Sequence, residues 1–383
     1  MKKRILITNG HLQIGGVEKS LVNFLNAIDY SKYDVDLLLF EGTGEYLSAV
    51  PEEVNIVLCD LTKTYGSLFR VICKNFLDCK VIQRKIILTL SNKLNRKYMR
   101  YLIKLKEYDI ALAYRMDTPM DYVSYGVKAK KKYFWWHNGS FNYPSYQVRR
   151  WQESAQNMDG LVCVSDSIKR TVEPYFDSFV KKVLVIPNMI SAQGESGKTN
   201  DTQINEDRYT IVSVGRFSEE KHMRDCVLAA KELIQKGHQN LRWYLLGDGP
   251  EREAVEKDII SNNLQDIVVC LGGISDPYSY MKSADLIVHP SYVESQGMTV
   301  LEAMKLKKLV VAVGSDGVNE YAIDRKNALI ARTSIHSLVS KIEEAMNMNK
   351  NDRIKICEAA KLTADKYSSD IIMKQIERNL FSD

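Results

Sequence analysis

Several features that define common protein classes are missing from this 383-residue sequence. No run of about 18 apolar residues is present, so no segment predicts a membrane-spanning helix. The seven cysteines are scattered and never in CxxC spacing, which gives no support to a disulfide framework or a metal site and predicts reduced, mostly buried thiols. The basic start MKKRILITNG has only a short apolar stretch, so we expect no cleavable signal peptide and favour a cytoplasmic protein.

Motifs of two further classes are also missing. A GxSxG nucleophile motif is absent, which argues against a Ser-His-Asp hydrolase. No zinc finger, helix-turn-helix or aromatic RNA-binding motif occurs, so nucleic acid is not an expected partner.

What the sequence does contain is a repeated alternation of strand and helix patterns. Its length, with 45% hydrophobic and 26% charged residues, predicts a folded protein with two domains of about 150–200 residues. Apolar runs such as RILITNG and YDVDLLLFEG alternate with amphipathic stretches such as VEKSLVNFLNAI. This order predicts an α/β fold with parallel, doubly wound sheets, whose ligands bind in a cleft at the carboxyl ends of the strands.

A polar segment divides the chain into two such halves. The stretch SAQGESGKTNDTQINED, residues 191–207, has only Ala192 and Ile204 as apolar residues and is the best linker candidate. We therefore predict an N-terminal Rossmann-like domain over residues 1–190 and a C-terminal one over residues 208–383. The last helix is a candidate to cross back to the N-terminal domain.

Positive charge is concentrated in one segment of the N-terminal half. Residues 63–106 hold twelve Lys or Arg and one acid, Asp78, whereas the whole chain has a net charge of +5. Aliphatic and aromatic residues interleave with these cations. Two interpretations are open: amphipathic helices with a solvated basic face, or a surface that binds an anionic membrane.

Two stretches beside predicted strand ends could contact a diphosphate. In IGGVEKS, Gly15 and Gly16 would let the backbone approach an anion, but the stretch lacks the GxGxxG and GK[ST] patterns, so a simple tight turn is an equal alternative. In VGRFSEEK, Arg216 and Lys221 put two cations at a strand mouth, which suits a diphosphate. Pairing on the surface with Glu219 or Glu220 is the alternative, and the position at the strand mouth slightly favours the diphosphate.

One histidine follows a predicted strand beside aromatic residues and a glycine. His137 in FWWHNGS is a candidate general base, or a hydrogen-bonding partner for an oxyanion. A core histidine is the commoner outcome for such a position.

The stretch HPSYVESQGMTVLEAM contains two glutamates around a predicted helix start. If the helix begins near Gly297, the N–H groups of Met298 and Thr299 point out of its end toward an anion. Glu294 then precedes the helix and Glu302 lies within it. Two carboxylates that accept hydrogen bonds from hydroxyl pairs, with a phosphate between them, describe a site for a nucleotide sugar.

Taken together, these stretches resemble the group 1 family of retaining glycosyltransferases with the GT-B fold. The resemblance is carried by GGVEKSLVNFL, VSDSIK with VIPNMI, VGRFSEEK, LLGDGPERE, ADLIVHPSYVESQGMTVLEAM and VVAVGSDGVNEY. These elements span almost the whole chain in the family's order, and the Glu-seven-Glu element is specific. The resemblance implies two Rossmann-like domains that face a central cleft.

The resemblance also implies a role for each candidate residue. Glu302 resembles the glutamate that binds the donor ribose, and Glu294 resembles the one that faces the transferred sugar. Arg216 and Lys221 match the cation pair that binds the diphosphate. His222 departs from the family, which often has glycine after the lysine. Gly297, Met298 and Thr299 match the backbone around the donor sugar and phosphate. Gly15 and Gly16 match the N-terminal loop that reaches the donor, and His137 matches a histidine near the transferred sugar.

We therefore predict a retaining, metal-independent glycosyltransferase of the hexosyltransferase class. It would move a sugar from a nucleoside-diphosphate sugar to a hydroxyl of a glycan or lipid-linked acceptor in cell-surface polysaccharide synthesis. UDP is the expected nucleotide because it is the commonest carrier, and no cofactor or metal is expected. Because the family's N-terminal half often holds a lipid-linked acceptor, the resemblance favours peripheral association of residues 63–106 with the inner face of the membrane. The alternatives are a nucleotide-sugar epimerase of the same fold and a non-catalytic subunit of a glycosyltransferase complex.

Overall fold

The computed structural model describes residues 2–58, 107–190, 207–274 and 276–382. The basic segment 63–106 and the linker up to residue 206 lie outside the described residues, so what the sequence predicts for them stays a prediction. Within the described ranges, no helix is long and apolar enough to cross a membrane.

The N-terminal half forms a sheet of seven parallel strands in the order β3-β2-β1-β4-β5-β6-β7. Most strands are near-continuous apolar runs, as expected for a parallel sheet whose two faces are both covered. The order reverses between β1 and β4, which makes the carboxyl ends of these two strands a place for a ligand. The strands are β1 (Lys3–Asn9), β2 (Tyr33–Leu39), β3 (Asn55–Leu58), β4 (Tyr108–Ala113), β5 (Ala129–Trp136), β6 (Gly160–Cys163) and β7 (Lys182–Val185).

The helices of the N-terminal half follow the strands in the predicted alternation. In the first of them, Leu21 and Leu25 are fully buried, as its amphipathic pattern predicts. The last of them is capped by Ser165, whose side chain accepts a hydrogen bond from the N–H of Ile168 at 3.3 Å. The helices are α1 (Gly16–Ala27), α2 (Thr118–Gly126), α3 (Ser145–Ala155) and α4 (Asp166–Phe176).

The C-terminal half forms a second parallel sheet, of six strands in the order β10-β9-β8-β11-β12-β13. Its order reverses between β8 and β11. The VGRFSEEK stretch follows β8 and the two-glutamate stretch follows β11, so both lie at this switch point. The strands are β8 (Tyr209–Val214), β9 (Leu241–Leu246), β10 (Val268–Gly272), β11 (Leu286–His289), β12 (Val310–Val313) and β13 (Leu329–Ala331).

Helices cover the second sheet and continue beyond it. They are α5 (Met223–Gln235), α6 (Arg252–Ser261), α7 (Pro277–Ser283), α8 (Met298–Lys305), α9 (Asp316–Asn319), α10 (Ile335–Met346), α11 (Lys350–Ala364) and α12 (Ser369–Ile376). The predicted fold class, two Rossmann-like domains with parallel sheets, is confirmed.

The end of the chain packs on the N-terminal domain. Helix α12 contacts α1, and a π-helical turn, Glu377–Phe381, follows it. The apolar residues that join the N-terminal core are Ile372, Met373, Ile376, Leu380 and Phe381. Lysines from the amino ends of three strands donate hydrogen bonds to carbonyl groups at the C-terminal end of this helical turn. Cations are favourable there because the C-terminal end of a helix carries partial negative charge. Lys3 donates to Phe381 O and Lys182 to Asn379 O, both at 2.8 Å, and Lys131 donates to Ser382 O.

The cysteines that the structure describes are all unpaired. Three of the four are buried, and burial raises the pKa of each of their thiols. They therefore pack as small apolar residues. The four are Cys163, Cys226, Cys270 and Cys357.

Candidate active site

Glu294 is the centre of a small charged cluster after β11. Its Oε1 atom lies 2.6 Å from Lys221 Nζ and 2.8 Å from His289 Nε2. Only 8% of Glu294 is exposed, so it is not a solvated loop charge. Lys221 therefore does not pair with the glutamates beside it in the sequence, which the simpler interpretation required.

The neighbours of Glu294 control its ionisation. Burial acts to raise the pKa of the Glu294 carboxyl, but the Lys221 cation and the hydrogen bond with His289 outweigh burial and hold this pKa well below its usual range. Glu294 is thus a carboxylate at any working pH. It can accept hydrogen bonds from a ligand or stabilise positive charge, and it cannot serve as a proton donor.

His289 belongs to the site and was not found by sequence reasoning. It is the last residue of β11, 4% exposed, and its position before Pro290 and Ser291 at a strand end was the available signal. Nδ1 of His289 is buried and has no hydrogen-bond partner among the described residues. The ring therefore orients Glu294 through its other nitrogen.

Glu302 lies inside helix α8 and is 4% exposed. Its Oε1 atom is 2.7 Å from Nζ of Lys19, which belongs to α1 of the N-terminal domain. The same ammonium group lies 4.5 Å from the ring centroid of Tyr278, at the start of α7. Glu302 is thus a buried charge shared between two domains, and a solvated helix position is excluded.

Gly297 forms the turn that starts α8. Its backbone is left-handed (φ 74°, ψ 56°), and a Cβ there would lie 2.7 Å from Val318 Cγ2, so glycine is required for both conformation and space. The helix begins at Met298, as predicted, and the N–H groups of Met298 and Thr299 have no acceptor within the helix. They lie between Glu294 and Glu302 in the chain, at the end of the helix that favours anions.

Arg216 and His222 flank Lys221 in the stretch after β8. Arg216 is exposed and has no ion-pair partner within the described part of the chain, so it is available to a ligand. His222 adopts the left-handed conformation (φ 50°, ψ 38°) that glycine adopts most easily, and its ring stacks on Tyr292 with centroids 3.5 Å apart. His222 therefore forms a left-handed turn without glycine, and the Lys221 beside it reaches Glu294.

His137 follows β5 at the carboxyl edge of the first sheet. The residue is partly exposed, but both ring nitrogens are buried and make no hydrogen bond to a described residue. Burial, with a smaller contribution from the Arg115 cation, lowers the pKa of His137 to about 3, and the nearby backbone of Tyr114 opposes this shift. His137 is thus a neutral imidazole that can exchange hydrogen bonds with a ligand, and a general base with so low a pKa is a weak one.

The loop before α1 presents its glycines at the start of the helix. A Cβ on Gly16 would meet no atom within 4 Å, so space is open beside it. A Cβ on Gly15 would lie 2.4 Å from Glu18 Oε2, and Glu18 is held by Arg115 at 3.0 Å. The loop therefore packs against Glu18 at Gly15, and no protein atom fills the space beside Gly16.

Close contacts hold the two domains together at the candidate site. A Cβ on Gly139 would lie 2.9 Å from Ser295 N and 3.0 Å from the carbonyl carbon of Glu294, so the chain just after His137 presses on the loop of the second domain. Asn188 N donates to Gln296 Oε1 at 2.7 Å, and Gln296 Nε2 donates to Asn188 O at 3.0 Å. His137 thus lies beside the Glu294 loop, and the helix that starts at Gly16 contacts Glu302, so these candidates share one interface. Arg216 is not among the residues that these contacts bring together.

Acidic residues do not form a metal centre in the described ranges. No group of three or more His, Cys, Asp or Glu that could hold an ion occurs there. An Asp-x-Asp pattern is present at Asp34 and Asp36 within β2, but Asp36 is buried and accepts hydrogen bonds from Asn55 at 2.7 Å and Tyr108 at 2.6 Å. Asp36 therefore holds strands of the sheet together, and Asp34 is exposed.

A known protein family matches the part of the chain that holds most of the candidate residues. Residues 197–363 match the family described as "Glycosyl transferases group 1", and the resemblance stated from the sequence motifs is confirmed. The matched region contains the second sheet from β8 to β13, together with Arg216, Lys221, Glu294 and Glu302.

Characterised relatives match over part of their length. The chain is 31% identical over 166 residues to the alpha-D-kanosaminyltransferase of Streptomyces kanamyceticus, which is 43% of each protein. It is 24% identical over 228 residues to the poly(ribitol-phosphate) alpha-N-acetylglucosaminyltransferase of Staphylococcus aureus, which is 58% of this chain and 44% of that protein. The chain spans about half the length of the curated relatives it matches.

Solved structures match over the whole chain. A variant of S. aureus TarM in complex with fondaparinux, alpha-GlcNAc-glycerol and UDP superposes with a TM-score of 0.75 at 16% identity, covering 100% of both chains. Anabaena HepE in complex with UDP and glucose gives a TM-score of 0.74 at 17% identity, covering 99% of both. At these identities the likeness shows the GT-B fold, which confirms the predicted architecture.

Proposed function

We propose that this protein is a retaining glycosyltransferase that moves a sugar from a nucleoside-diphosphate sugar, with UDP as the nucleotide, to a hydroxyl of a glycan or lipid-linked acceptor. The supporting observation is the convergence of Glu294, Lys221 and Glu302 around the start of α8, at an interface between two Rossmann-like domains. The family match over residues 197–363 supports the reaction class.

The proposed mechanism follows the charges of the site. Breaking the bond between sugar and phosphate develops negative charge on the nucleoside diphosphate. Arg216, Lys221 and the first N–H groups of α8 are preorganised to stabilise it, so the reaction would need no metal ion or cofactor. Lys221 has three donor hydrogens and can hold Glu294 and a phosphate oxygen at once. The ionised Glu294 would face the positive charge that develops on the sugar.

The acceptor would enter from the N-terminal domain. His137 lies beside the contact of Gly139 with the Glu294 loop, so a neutral imidazole is available for hydrogen bonds near the transferred sugar. Packing of the two domains would exclude water and limit hydrolysis of the donor. We further propose that residues 63–106 bind an anionic membrane surface, which suits a lipid-linked acceptor in cell-surface polysaccharide synthesis.

Thermal unfolding with a panel of UDP, GDP, ADP and their common sugar conjugates tests the donor. A ligand at 100 times its dissociation constant should stabilise the protein by about 2.7 kcal/mol. Stabilisation by UDP that increases with one attached sugar is the expected result. No stabilisation by any of the panel would contradict the proposal.

Release of nucleotide from the selected donor tests the reaction. A transferase releases nucleotide in proportion to added acceptor, a nucleotide-sugar epimerase releases little, and a non-catalytic subunit releases none.

Flotation with vesicles tests the membrane proposal. The proposal requires that the protein binds anionic vesicles and does not bind neutral ones.

A further inference from the structure

Lys19 connects the first helix of the N-terminal domain to the predicted ribose residue of the C-terminal domain. Its Nζ lies 2.7 Å from Glu302 Oε1, across the interface between the domains. The side chain of Lys19 is 20% exposed and that of Glu302 is 4% exposed, so this ion pair is largely removed from water. Removing one partner of such a pair leaves an uncompensated buried charge, which is costly.

Two further contacts define where Lys19 lies. Its ammonium group is 4.5 Å from the centre of the Tyr278 ring, a cation–π contact with a second element of the C-terminal domain. Its helix starts at Gly16, three residues earlier, where the space in front of the loop is open. Lys19 therefore stands at the point where the glycine loop of one domain meets Glu302 of the other.

We propose that Lys19 is a positioning residue for the donor: it orients the Glu302 carboxylate and compensates its charge, so that the ribose diol is bound in full only when both domains are together. This inference rests on the proposed function. The contact with Lys19 is an ion pair by distance, and Oε1 of Glu302 accepts no hydrogen bond from a described residue. A carboxylate has about four lone-pair sites, so Glu302 can accept hydrogen bonds from two hydroxyl groups while Lys19 compensates its charge. Nucleotide binding and closure of the domains are then coupled through one ion pair.

Other contacts keep the domains together without touching Glu302. Asn188 and Gln296 exchange two hydrogen bonds, and Glu320 accepts from the N–H groups of Asp166, at 3.1 Å, and Ser167 at the start of α4. Loss of the Lys19 ammonium should therefore leave the domains in contact. The unpaired Glu302 carboxylate lowers the stability of the protein with and without nucleotide, so the test of positioning is the affinity for nucleotide.

Calorimetric titration with UDP tests the proposal without any acceptor. The variants are Lys19→Gln, Lys19→Arg as a conservative rescue, and Lys32→Gln as the matched control. Lys32 pairs with Asp29 on the surface, with 62% of its side chain exposed. Lys19→Gln should weaken UDP binding about tenfold or more, which is a typical size for coupling between sites. Lys19→Arg should recover most of the affinity for UDP, and Lys32→Gln should bind UDP as the wild type does.

Two further readouts separate positioning from a structural role. In the Glu302→Gln background, Lys19→Gln should cause little additional loss of UDP affinity, because the carboxylate that it positions is gone. An equal fall in unfolding temperature with and without UDP would indicate a structural role and overturn the proposal.

The outcomes for the inference and for the function are distinct. If the wild type binds UDP and Lys19→Gln binds it equally well, the inference is wrong while the proposed function stands. Tighter binding by Lys19→Gln would mean that Lys19 competes with the ribose, which also overturns the inference. If the wild type binds neither UDP nor another nucleoside diphosphate, both the inference and the proposed function fail.

Discussion

Lys221 Nζ and His289 Nε2 contact the same carboxylate oxygen, Oε1 of Glu294, at 2.6 and 2.8 Å. The lysine follows β8 and the histidine ends β11, the two strands between which the order of the sheet reverses. The fold thus brings a cation and an imidazole onto one acid that already lies where a parallel sheet binds ligands. This arrangement fixes the direction of Glu294 before any donor enters.

Replacing Glu294 by glutamine should mainly lower turnover. The variant keeps the shape of the side chain and removes the negative charge that would face the developing positive charge on the sugar. We expect turnover to fall by about 10²–10³-fold, with UDP affinity little changed. Acceptor-dependent nucleotide release and calorimetry measure the two quantities, and a loss confined to UDP affinity would contradict the role assigned to Glu294.

His289 should act only through Glu294. His289→Ala leaves the carboxylate oriented by Lys221 alone, so we expect a smaller loss of turnover than in Glu294→Gln. The double variant should be no slower than Glu294→Gln, because residues that act as a unit are not additive. Losses that multiply in the double variant would show that His289 has a separate function.

Glu302→Ala should weaken nucleotide binding more than it slows the chemical step. The change removes the carboxylate expected to accept from the ribose hydroxyls and leaves Lys19 without its partner. Titration with UDP measures the effect. Glu358→Ala is the matched control, since Glu358 is a half-exposed glutamate paired with Lys307 on the surface. UDP affinity equal to that of the control would refute the assignment.

Gly16→Ala tests whether the donor passes in front of the N-terminal loop. A Cβ at this position meets no protein atom within 4 Å, and alanine is a better helix residue than glycine, so the unfolding temperature should not fall. A methyl group in that space should nevertheless raise the KM for the donor. A donor KM equal to that of the wild type would show that the open space is not used by the substrate.

The sequence was sufficient for the architecture because its signals are local. Apolar runs and amphipathic periods depend on neighbours in the chain, and so does the helix start near Gly297. Strand β3 was not predicted, since Asn55–Leu58 is short and mostly exposed. Helices α2 and α3 were not predicted either, because Thr118–Gly126 is short and Ser145–Ala155 is mostly polar.

The partners of the candidate residues could not be predicted from the sequence. Lys221 and Glu294 are 73 positions apart, and Lys19 and Glu302 lie in different domains. Their pairing depends on which strands are adjacent in the sheet and on how the domains meet, and no local pattern encodes either. The sequence therefore singled out Glu294, Glu302 and Lys221 as candidates, but it could not show that His289 contacts Glu294 or that Lys19 contacts Glu302.

The low pKa of His137 predicts a pH dependence of stability. The folded protein binds a proton at His137 only near pH 3, whereas an unfolded histidine does so near its ordinary value of 6.5. Between these values the unfolded state binds more protons, so the contribution of this residue to stability is complete above pH 6.5 and is lost as the pH falls toward 3.

His137→Asn should remove this dependence, which amounts to about 1.4 kcal/mol per pH unit below 6.5. Denaturant unfolding from pH 4.5 to 7.5 measures it, because carboxylates contribute alike to both proteins and cancel in the difference. His336→Asn is the control, since that side chain is 83% exposed. Parallel curves for the wild type and His137→Asn would mean that the imidazole is solvated, and the neutral hydrogen-bonding role proposed for it would then be lost.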